Sequence, residues 1–238
     1  MIGNKLKNLA CLFLKGFTYL YIFLMKRLYS KSSFLVKGVV FISKFRIRGN
    51  IIFSMNGGYI IKSSIYVQGR NNKIILDNGV KIKKCRIVIV GDNCTLLLKG
   101  PRHIDNTTFE LLDSDCSIIV DQNTGFNRNR ILVAGENNKI NIGAHCIFAE
   151  NAEVWASDTH SIVDTMFEKR INLDKPIIIG DRVWIGNRVL IHKGIVIGND
   201  SIIAAGSIVT KDVGQNTLVG GIPASLIKKN VKWDIRRL

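Results

Sequence analysis

The chain has 238 residues, of which 47% are hydrophobic and 22% charged, and it contains 3 prolines and 21 glycines. This composition excludes wholesale disorder and a proline-rich linker, and the length suits one domain with a sizeable core. The formal net charge is +16, and residues 1–76 hold 13 Lys or Arg and no acidic residue. A nucleic-acid binder usually carries its charge surplus on the recognition domain, whereas these charges flank an apolar run, so an anionic membrane surface is favoured.

The first predicted element is a basic, apolar helix within residues 1–36. Its apolar run, residues 9–25, is interrupted by Lys15 and closed by Lys26, whereas a spanning helix needs about 20 apolar residues. The lysines fall on one side of a helical wheel, and most Leu and Phe residues fall on the other. We therefore expect either a helix that lies in a membrane surface or a cap helix packed on the protein itself. No small-x-small site follows, so a cleavable signal peptide is disfavoured.

A period of 22 residues follows, in the units 69–90, 91–112, 113–134 and 135–156, with a weaker unit at 47–68. Periods of about 20 to 50 residues are typical of solenoids, whose repeats bury their apolar faces against one another. Three positions of each strong unit are apolar: Ile74, Leu76, Ile82, Leu96, Leu98, Ile104, Ile118, Val120, Phe126, Ile140, Ile142 and Phe148.

After a non-repeating segment at 157–176 the period shortens to six, with aliphatic residues at Ile179, Ile185, Ile191, Ile197, Ile203 and Val209. Short β-branched stretches separated by small residues predict a triangular coil with three strands per turn. The 22-residue units then represent the same coil with one enlarged corner. We therefore predict a mainly β protein with a parallel β-helix over 37–222, a loop that protrudes at 157–176, and a C-terminal tail at 223–238.

The segment 177–229, IIIGDRVWIGNRVLIHKGIVIGNDSIIAAGSIVTKDVGQNTLVGGIPASLIKK, resembles the hexapeptide-repeat acyltransferases, whose fold is a left-handed parallel β-helix. Within that superfamily it is similar to the maltose and galactoside O-acetyltransferases and to the bacterial capsule or lipopolysaccharide O-acetyltransferases. The resemblance implies a homotrimer with acetyl-coenzyme A (acetyl-CoA) in the cleft between neighbouring subunits, and no metal.

His160 is the predicted general base. Acetyl transfer to a hydroxyl needs a group that takes the hydroxyl proton, and histidine suits this role because its ordinary pKa is about 6.5. His160 stands in SDTHSI at the start of the non-repeating segment, where a loop can line a cleft. The resemblance implies the same residue, because the family's base precedes the tryptophan of the VWIG hexad, here Trp184, at this spacing. Asp158 or a loop carbonyl is expected to accept the Nδ1 hydrogen of His160.

Trp184 is expected to project out of the coil and to form the wall of a pocket for the thioester arm, or to stack on a sugar. For coenzyme A the resemblance points to small residues beside the pantetheine and to lysines that meet the phosphates. These residues are Asn187, Ala204, Ala205, Thr210, Lys211 and Lys228. The acceptor candidates flank the histidine loop and are Glu150, Asn151 and Arg170.

The sequence thus predicts an acetyl-CoA-dependent O-acetyltransferase. Its predicted acceptor is a hydroxyl group of a bacterial cell-surface polysaccharide, which is either capsule or lipopolysaccharide, or of the precursor of that polysaccharide. We expect the protein in the cytoplasm, with the basic leader holding it peripherally on the cytoplasmic face of the inner membrane. The alternatives are an N-acetyltransferase on an amino sugar nucleotide, a zinc hydrolyase and a non-catalytic β-helix scaffold. A zinc enzyme needs three converging histidines, whereas only His145 and His160 are close in sequence. Five cysteines show no ligand spacing or disulfide framework and are predicted to be reduced and mostly buried: Cys11, Cys85, Cys94, Cys116 and Cys146.

Overall fold

The computed structural model describes residue 16, residues 18–100 and residues 103–236. Residue 16 is helical, and helix α1 comprises residues 18–28. In this part of the chain the strands are β1 Ser33–Asp77, β2 Lys81–Lys83, β3 Arg86–Val90, β4 Thr95–Lys99, β5 His103–Asp105, β6 Thr108–Leu112, β7 Ser117–Val120, β8 Gly125–Asn127, β9 Arg130–Val133, β10 Lys139–Ile142, β11 Ile147–Phe148, β12 Glu153–Trp155, β13 Ile177–Ile179, β14 Trp184–Ile185, β15 Leu190–Ile191, β16 Val196–Ile197, β17 Ile202–Ile203, β18 Ile208–Val209, β19 Thr217–Gly221 and β20 Ala224–Lys229.

From β2 to β15, each strand pairs in parallel with the strand three places further along, and β17 pairs in parallel with β19, which winds the chain into a solenoid with three faces. Face 1 contains β4, β7, β10, β13 and β16; face 2 contains β2, β5, β8, β11, β14, β17 and β19; face 3 contains β3, β6, β9, β12, β15 and β18. We name the corners after the faces they join: corner 1/2, corner 2/3 and corner 3/1. The mainly β, parallel solenoid predicted from the sequence is confirmed.

The strand register reproduces both predicted periods. Thr95 pairs with Ser117 and Ser117 with Lys139, which is a step of 22 residues, whereas Trp184 pairs with Ile202, a step of 18. One departure occurs where Arg130 pairs with Glu153, because corner 2/3 of that turn holds one residue more than the turn before it. The period of 22 is therefore broken by one residue near the end of the last unit.

The core is a set of columns that run along the coil axis. The twelve residues of the 22-residue repeats and the six aliphatic residues of the hexads are all at most 2% exposed, so the predicted core is confirmed. Phe126 and Phe148 stack with ring centroids 4.7 Å apart. At the corners the turns are tight: Gly91 has φ +150°, and a Cβ there would lie 2.2 Å from the carbonyl oxygen of Asp113.

Helix α1 covers the N-terminal end of the coil. The Thr18 hydroxyl accepts a hydrogen bond from the Val40 amide at 3.1 Å, and the Tyr29 ring, just after α1, packs edge-on against Phe45. Residues 18–29 therefore pack on the coil, as the cap alternative predicts. The apolar run before residue 16 lies outside the described residues. Because residues 33–36 belong to β1, the helix ends earlier than the predicted boundary. Within the described residues no helix has the length and apolar content needed to cross a bilayer.

The described cysteines behave as predicted. The four cysteines in the described part of the chain are buried and have free thiols: Cys85, Cys94, Cys116 and Cys146. Burial raises the pKa of Cys85 to about 11 and that of Cys146 to about 12, so both thiols stay protonated at neutral pH. Cys11 lies outside the described residues. At the other end of the chain, β20 pairs antiparallel with β19, so the predicted tail begins with a strand.

Candidate active site

Asp158 anchors the loop that carries His160, which leaves the coil between β12 and β13 at corner 3/1. Lys193 lies at the same corner one turn further along, and its Nζ donates hydrogen bonds to Oδ2 of Asp158 and, at 2.7 Å, to the carbonyl oxygen of Asn172. The Asn172 amide donates to the same oxygen of Asp158 at 2.7 Å. Lys193 therefore holds both the outgoing and the returning arm of the loop.

These contacts also determine the charge of Asp158. Desolvation raises the pKa of this carboxyl group, but the hydrogen bonds from Lys193 and Asn172 and the positive charge of Lys193 outweigh it. The net result is a pKa below the ordinary value, and Asp158 is ionised at neutral pH.

Beyond His160 the loop forms a short antiparallel hairpin, in which Val163 pairs with Arg170. Asn172 joins its two sides, since its Nδ2 donates to the carbonyl oxygen of His160 at 2.8 Å and its Oδ1 accepts from the amide of Ile162 at 2.6 Å. The hairpin exposes six large apolar side chains, each with 50–83% of its surface accessible: Ile162, Val163, Met166, Phe167, Ile171 and Leu173.

Thr159 determines which nitrogen of His160 is free. Its Oγ1 lies 2.7 Å from the carbonyl oxygen of Asp158 and 3.0 Å from Nδ1 of His160. A carbonyl oxygen only accepts, so the single hydroxyl hydrogen goes to it, and the hydroxyl oxygen accepts the hydrogen on Nδ1. The lone pair of the neutral ring then lies on Nε2, and the His160 side chain is exposed. This is the form that a general base requires.

The backbone at Thr159 is strained. Its φ is +59°, in the left-handed region that β-branched residues rarely adopt. The Thr159 amide donates to the hydroxyl of Ser157 at 2.9 Å, which helps to hold this conformation. Strain of this kind is concentrated at functional sites, where surrounding contacts maintain it.

The predicted hydrogen bond between Asp158 and the His160 ring is wrong. The carboxylate of Asp158 is turned towards Lys193 and Asn172, and the hydroxyl of Thr159 stands at Nδ1 in its place. A loop carbonyl was the other predicted partner of Nδ1. The carbonyl oxygen of Asp158 does not contact the ring directly but accepts the hydrogen of the Thr159 hydroxyl, which in turn contacts Nδ1. Asp158 is thus a positioning residue for the loop.

Trp184 lies in β14 on face 2, between Ile147 of the turn before and Ile202 of the turn after. Its side chain is 43% exposed, as expected for a residue that projects from the coil. Corner 3/1, from which His160 departs, is the corner opposite face 2. One chain therefore places His160 and Trp184 on opposite sides of the coil.

The residues predicted to bind coenzyme A lie mostly at the two corners that border face 3. Ala205, Thr210, Lys211 and Lys228 are exposed, and Lys211 makes no ion pair in the described part of the chain. The amide oxygen of Asn187 accepts a hydrogen bond from the amide of Glu150 at 3.1 Å. Corner 2/3 holds Asn187, Ala204 and Ala205, corner 3/1 holds Thr210 and Lys211, and Lys228 lies in β20.

The acceptor candidates are separated in the structure. Glu150 lies at corner 2/3 and accepts hydrogen bonds from Asn127 at 3.0 Å and Arg128 at 3.3 Å. Asn151, beside it, is exposed and forms the turn with φ +60°. Arg170 lies in the hairpin and pairs with Asp174 at 2.9 Å. Glu150 therefore joins two adjacent turns of the coil, whereas Arg170 makes its contacts within the histidine loop.

Face 3 carries a polar cluster that the sequence reasoning missed. Arg130 pairs with Glu110 at 2.7 Å, and its guanidinium carbon lies 4.6 Å from the ring centre of Trp155. The indole N–H of Trp155 donates to Glu153 at 2.8 Å. The repeat does not reveal this pairing, because a period of 22 places Arg130 opposite Ala152, whereas the extra residue at corner 2/3 places it opposite Glu153. The cluster borders the histidine loop, which follows β12 directly.

The four histidines are distributed around the coil. His103 lies on face 2, His145 at corner 1/2, and His160 and His192 at or beyond corner 3/1. Within the described residues, no group of three or more His, Cys, Asp or Glu side chains is placed to hold a metal ion.

The comparisons with known proteins agree with this architecture. Residues 176–211 match the family described as the hexapeptide repeat of succinyl-transferase. The solved polysialic acid O-acetyltransferase OatWY superposes with a TM-score of 0.62 over 87% of this chain and 92% of that one, at 27% identity. The solved polysialic acid-specific acetyltransferase NeuO superposes with a TM-score of 0.62 over 87% of this chain and 90% of that one, at 29% identity. Residues 176–211 thus match the hexapeptide repeat, and the predicted resemblance of the chain to hexapeptide-repeat acyltransferases is confirmed.

Two curated relatives are similar over part of the chain. The polysialic acid O-acetyltransferase of Neisseria meningitidis is 33% identical over 123 residues, 51% of this chain and 56% of the relative. That of Escherichia coli O1:K1 / APEC is 45% identical over 94 residues, 40% of this chain and 31% of the relative. The chain thus spans about half the length of the first relative and about a third of the second.

Proposed function

We propose that this protein is an acetyl-CoA-dependent O-acetyltransferase that modifies a hydroxyl group of a bacterial cell-surface polysaccharide, or of its precursor. The observation that carries the proposal is His160, an exposed histidine whose Nδ1 contacts the hydroxyl of Thr159 and whose Nε2 has no hydrogen-bond partner among the described residues. It stands on a coil that resembles two polysialic acid O-acetyltransferases over most of its length. Polysialic acid is therefore the first acceptor to test.

In the proposed reaction, Nε2 of His160 takes the proton of an acceptor hydroxyl while the hydroxyl oxygen attacks the thioester carbonyl carbon. Backbone N–H groups of a neighbouring turn are expected to stabilise the oxyanion of the tetrahedral intermediate. Cleavage of the carbon–sulfur bond then releases the thiolate of coenzyme A, which receives the proton from Nε2. The products are an acetyl ester and free coenzyme A, so atoms and charge balance.

The donor is proposed to lie along face 3. Exposed, small Ala205 at corner 2/3 allows the pantetheine to approach the backbone. The ammonium of Lys211 at corner 3/1, which forms no ion pair with any residue that the structure describes, is available to a phosphate. This path leads towards the corner at which His160 leaves the coil. The distribution of these residues is consistent with an extended donor that spans one face of the solenoid.

A homotrimer is proposed because one chain separates His160 from Trp184. If both residues serve one site, the tryptophan must come from a neighbouring chain. The exposed apolar hairpin, residues 162–173, offers a contact surface for that neighbour, since contiguous exposed apolar residues mark interaction sites. A closed ring of three copies places one site at each subunit boundary.

The membrane is proposed as the location because α1 presents a second apolar side to solvent. Apolar residues on this side, 46–75% exposed, point away from the coil: Tyr19, Leu20, Phe23, Leu24 and Leu28. Lys26 and Arg27 lie next to them, in the region of the chain that has no acidic residue. An apolar side with adjacent cations suits the anionic cytoplasmic surface of a bilayer.

The decisive experiment incubates the protein with acetyl-CoA and polysialic acid and measures release of coenzyme A together with acetylation of the polymer. His160→Ala is expected to lower kcat about 10²–10⁴-fold, the usual cost of losing a general base. Binding of coenzyme A to the variant should stay near the wild-type level. Near wild-type turnover by His160→Ala would exclude this base, and a product that resists mild alkali would indicate an amide instead of an ester.

A further inference from the structure

A cavity of about 490 Å³ lies between corner 1/2 and the C-terminal tail. Its lining includes Ile147 and Arg182, and Ile147 is the register partner of Trp184 on the adjacent turn. Adjacent turns are about 4.8 Å apart, so the backbone at Ile147, where the cavity is lined, is about one strand spacing from that at Trp184. Its volume falls in the range of about 300–1,000 Å³ that is usual for small-molecule sites.

The tail forms one wall of this cavity and is firmly attached to the coil. The indole N–H of Trp233 donates to the carbonyl oxygen of Arg182 at 2.6 Å. The Arg182 guanidinium is itself held by two hydrogen bonds to Asp200, at 2.7 and 2.8 Å. The amide of Val231, near the start of the tail, donates to the carbonyl oxygen of Asn216 at 3.0 Å. The ring of Trp233 is therefore a fixed surface.

The opposite wall supplies the polar side chains of Asn123 and His145. Asn123 and His145 occupy equivalent corner positions on adjacent turns, with φ of +58° and +60°. Within the described residues, neither side chain forms a hydrogen bond or an ion pair, and both line the cavity. An amide and an imidazole can donate and accept hydrogen bonds, as sugar hydroxyls require. An aromatic ring facing them offers an apolar surface for the C–H groups of a sugar ring.

From this arrangement we infer that the cavity is an accessory subsite that binds one sugar residue of the acceptor polymer, away from the residue that is acetylated. The inference rests on the proposed function. Because the cavity lies about one strand spacing from Trp184, a polymer whose reacting residue lies at Trp184 can also place a second residue in the cavity, whereas a single sugar cannot occupy both positions. A contact far from the reacting group stabilises the bound substrate and the transition state equally. Such a contact lowers KM without changing kcat.

The test uses sialic acid fragments of graded length, from one residue to ten or more, with wild-type protein and Trp233→Ala. For the wild type, KM should fall as the fragments lengthen. For Trp233→Ala, KM for long fragments should rise about 10-fold, the effect expected when one buried aromatic contact of about 1.4 kcal/mol is lost. The kcat values and the KM for the single residue should be unchanged. A second variant, His145→Gly, keeps the left-handed turn and should raise the same KM without touching the tail.

Direct binding separates this inference from the proposed function. In the absence of acetyl-CoA, long fragments should quench tryptophan emission in the wild type, and the quenching should be weaker in Trp233→Ala. Equal binding and equal KM for both proteins would overturn the subsite. Failure of every fragment to be acetylated, with length-dependent binding that still needs Trp233, would instead overturn the proposed function and leave the subsite standing.

Discussion

The carboxylate of Asp158 accepts a hydrogen bond from the ammonium group of Lys193, and this ion pair joins the first turn of the histidine loop to the coil one turn further along. The Lys193 side chain is 16% exposed and that of Asp158 34%, so the pair is partly shielded from water. Its main effect is on the position of the loop, because partly exposed pairs contribute little to global stability.

Lys193→Met is therefore expected to loosen the loop more than it destabilises the fold. The change removes the bonds to Asp158 and to the Asn172 carbonyl, so proteolysis within residues 161–171 should accelerate and kcat should fall about 10-fold, a loss of about 1.4 kcal/mol. The melting temperature should change little. Lys211→Met is the control from the same corner: it should raise KM for acetyl-CoA and leave proteolysis of the loop unchanged. Equal proteolysis of wild type and Lys193→Met would show that the pair does not anchor the loop.

The same contact makes the loop sensitive to acid. The pKa of Asp158 is lower in the folded protein than in the unfolded chain, so its stabilising contribution is fully present above its ordinary pKa of about 4 and is lost as pH falls below that value. Amide hydrogen exchange at Ile162 and Ile171, corrected for its intrinsic pH dependence, should therefore increase from pH 5 to pH 3. In Lys193→Met the protection should be low already at pH 5, and the increase should be smaller. An equal pH dependence in the two proteins would count against Asp158.

Thr159 offers a sharper test of the proposed base. Thr159→Val keeps the shape of the side chain but removes the hydroxyl that accepts from Nδ1, so the ring can reverse its tautomer and kcat should fall about 10-fold. Thr159→Ser keeps the hydroxyl and should retain nearly full activity. Two measurements distinguish this role from a merely structural one. A change at the base should alter the pH profile of kcat/KM and leave the KM for acetyl-CoA unchanged, whereas a distorted loop should change both. Similar activity in the Val and Ser variants would show that the hydroxyl has no such role.

The division of His160 and Trp184 between opposite sides of the coil gives a test of the shared site. His160→Ala and Trp184→Ala chains are each expected to be nearly inactive. When equal amounts are unfolded and refolded together, random mixing in a closed ring should restore about a quarter of the wild-type sites. The same mixture of separately folded trimers is the control and should stay inactive. If co-refolding restores no activity, His160 and Trp184 do not form a site across two chains.

The repeats made the coil predictable, because one period of the sequence equals one turn of the solenoid and places Ile74, Leu96 and Ile118 in one buried column. The extra residue in the turn before Glu153 broke this rule, since a corner can absorb one residue without disturbing the strands. The partners of Asp158 were not predictable, because residues 157–176 have no repeat and their contacts depend on the path of the loop. His160 and Trp184 could be proposed from their motifs, but their opposite placement required the order of the faces.

Helix α1 leads to the last prediction. Its inward side packs on the coil through Tyr21, Ile22 and Met25, so the outward side can be changed without opening the core. Replacing Leu20, Phe23, Leu24 and Leu28 with Gln keeps helix propensity and removes apolar surface worth about 1.5–3 kcal/mol for each side chain fully buried in lipid.

The measurement is flotation with vesicles that contain or lack an anionic phospholipid. Wild-type protein should float with the anionic vesicles and much less with neutral ones, because Lys26, Arg27 and the other basic residues near α1 add attraction of about 1 kcal/mol for each charge that reaches the surface. The Gln variant should remain in the lower fractions while its melting temperature and its turnover of short, soluble acceptors stay unchanged. Leu226→Gln, which removes an exposed apolar side chain from β20, should float like the wild type. A wild-type protein that stays at the bottom of both gradients would show that α1 only caps the coil.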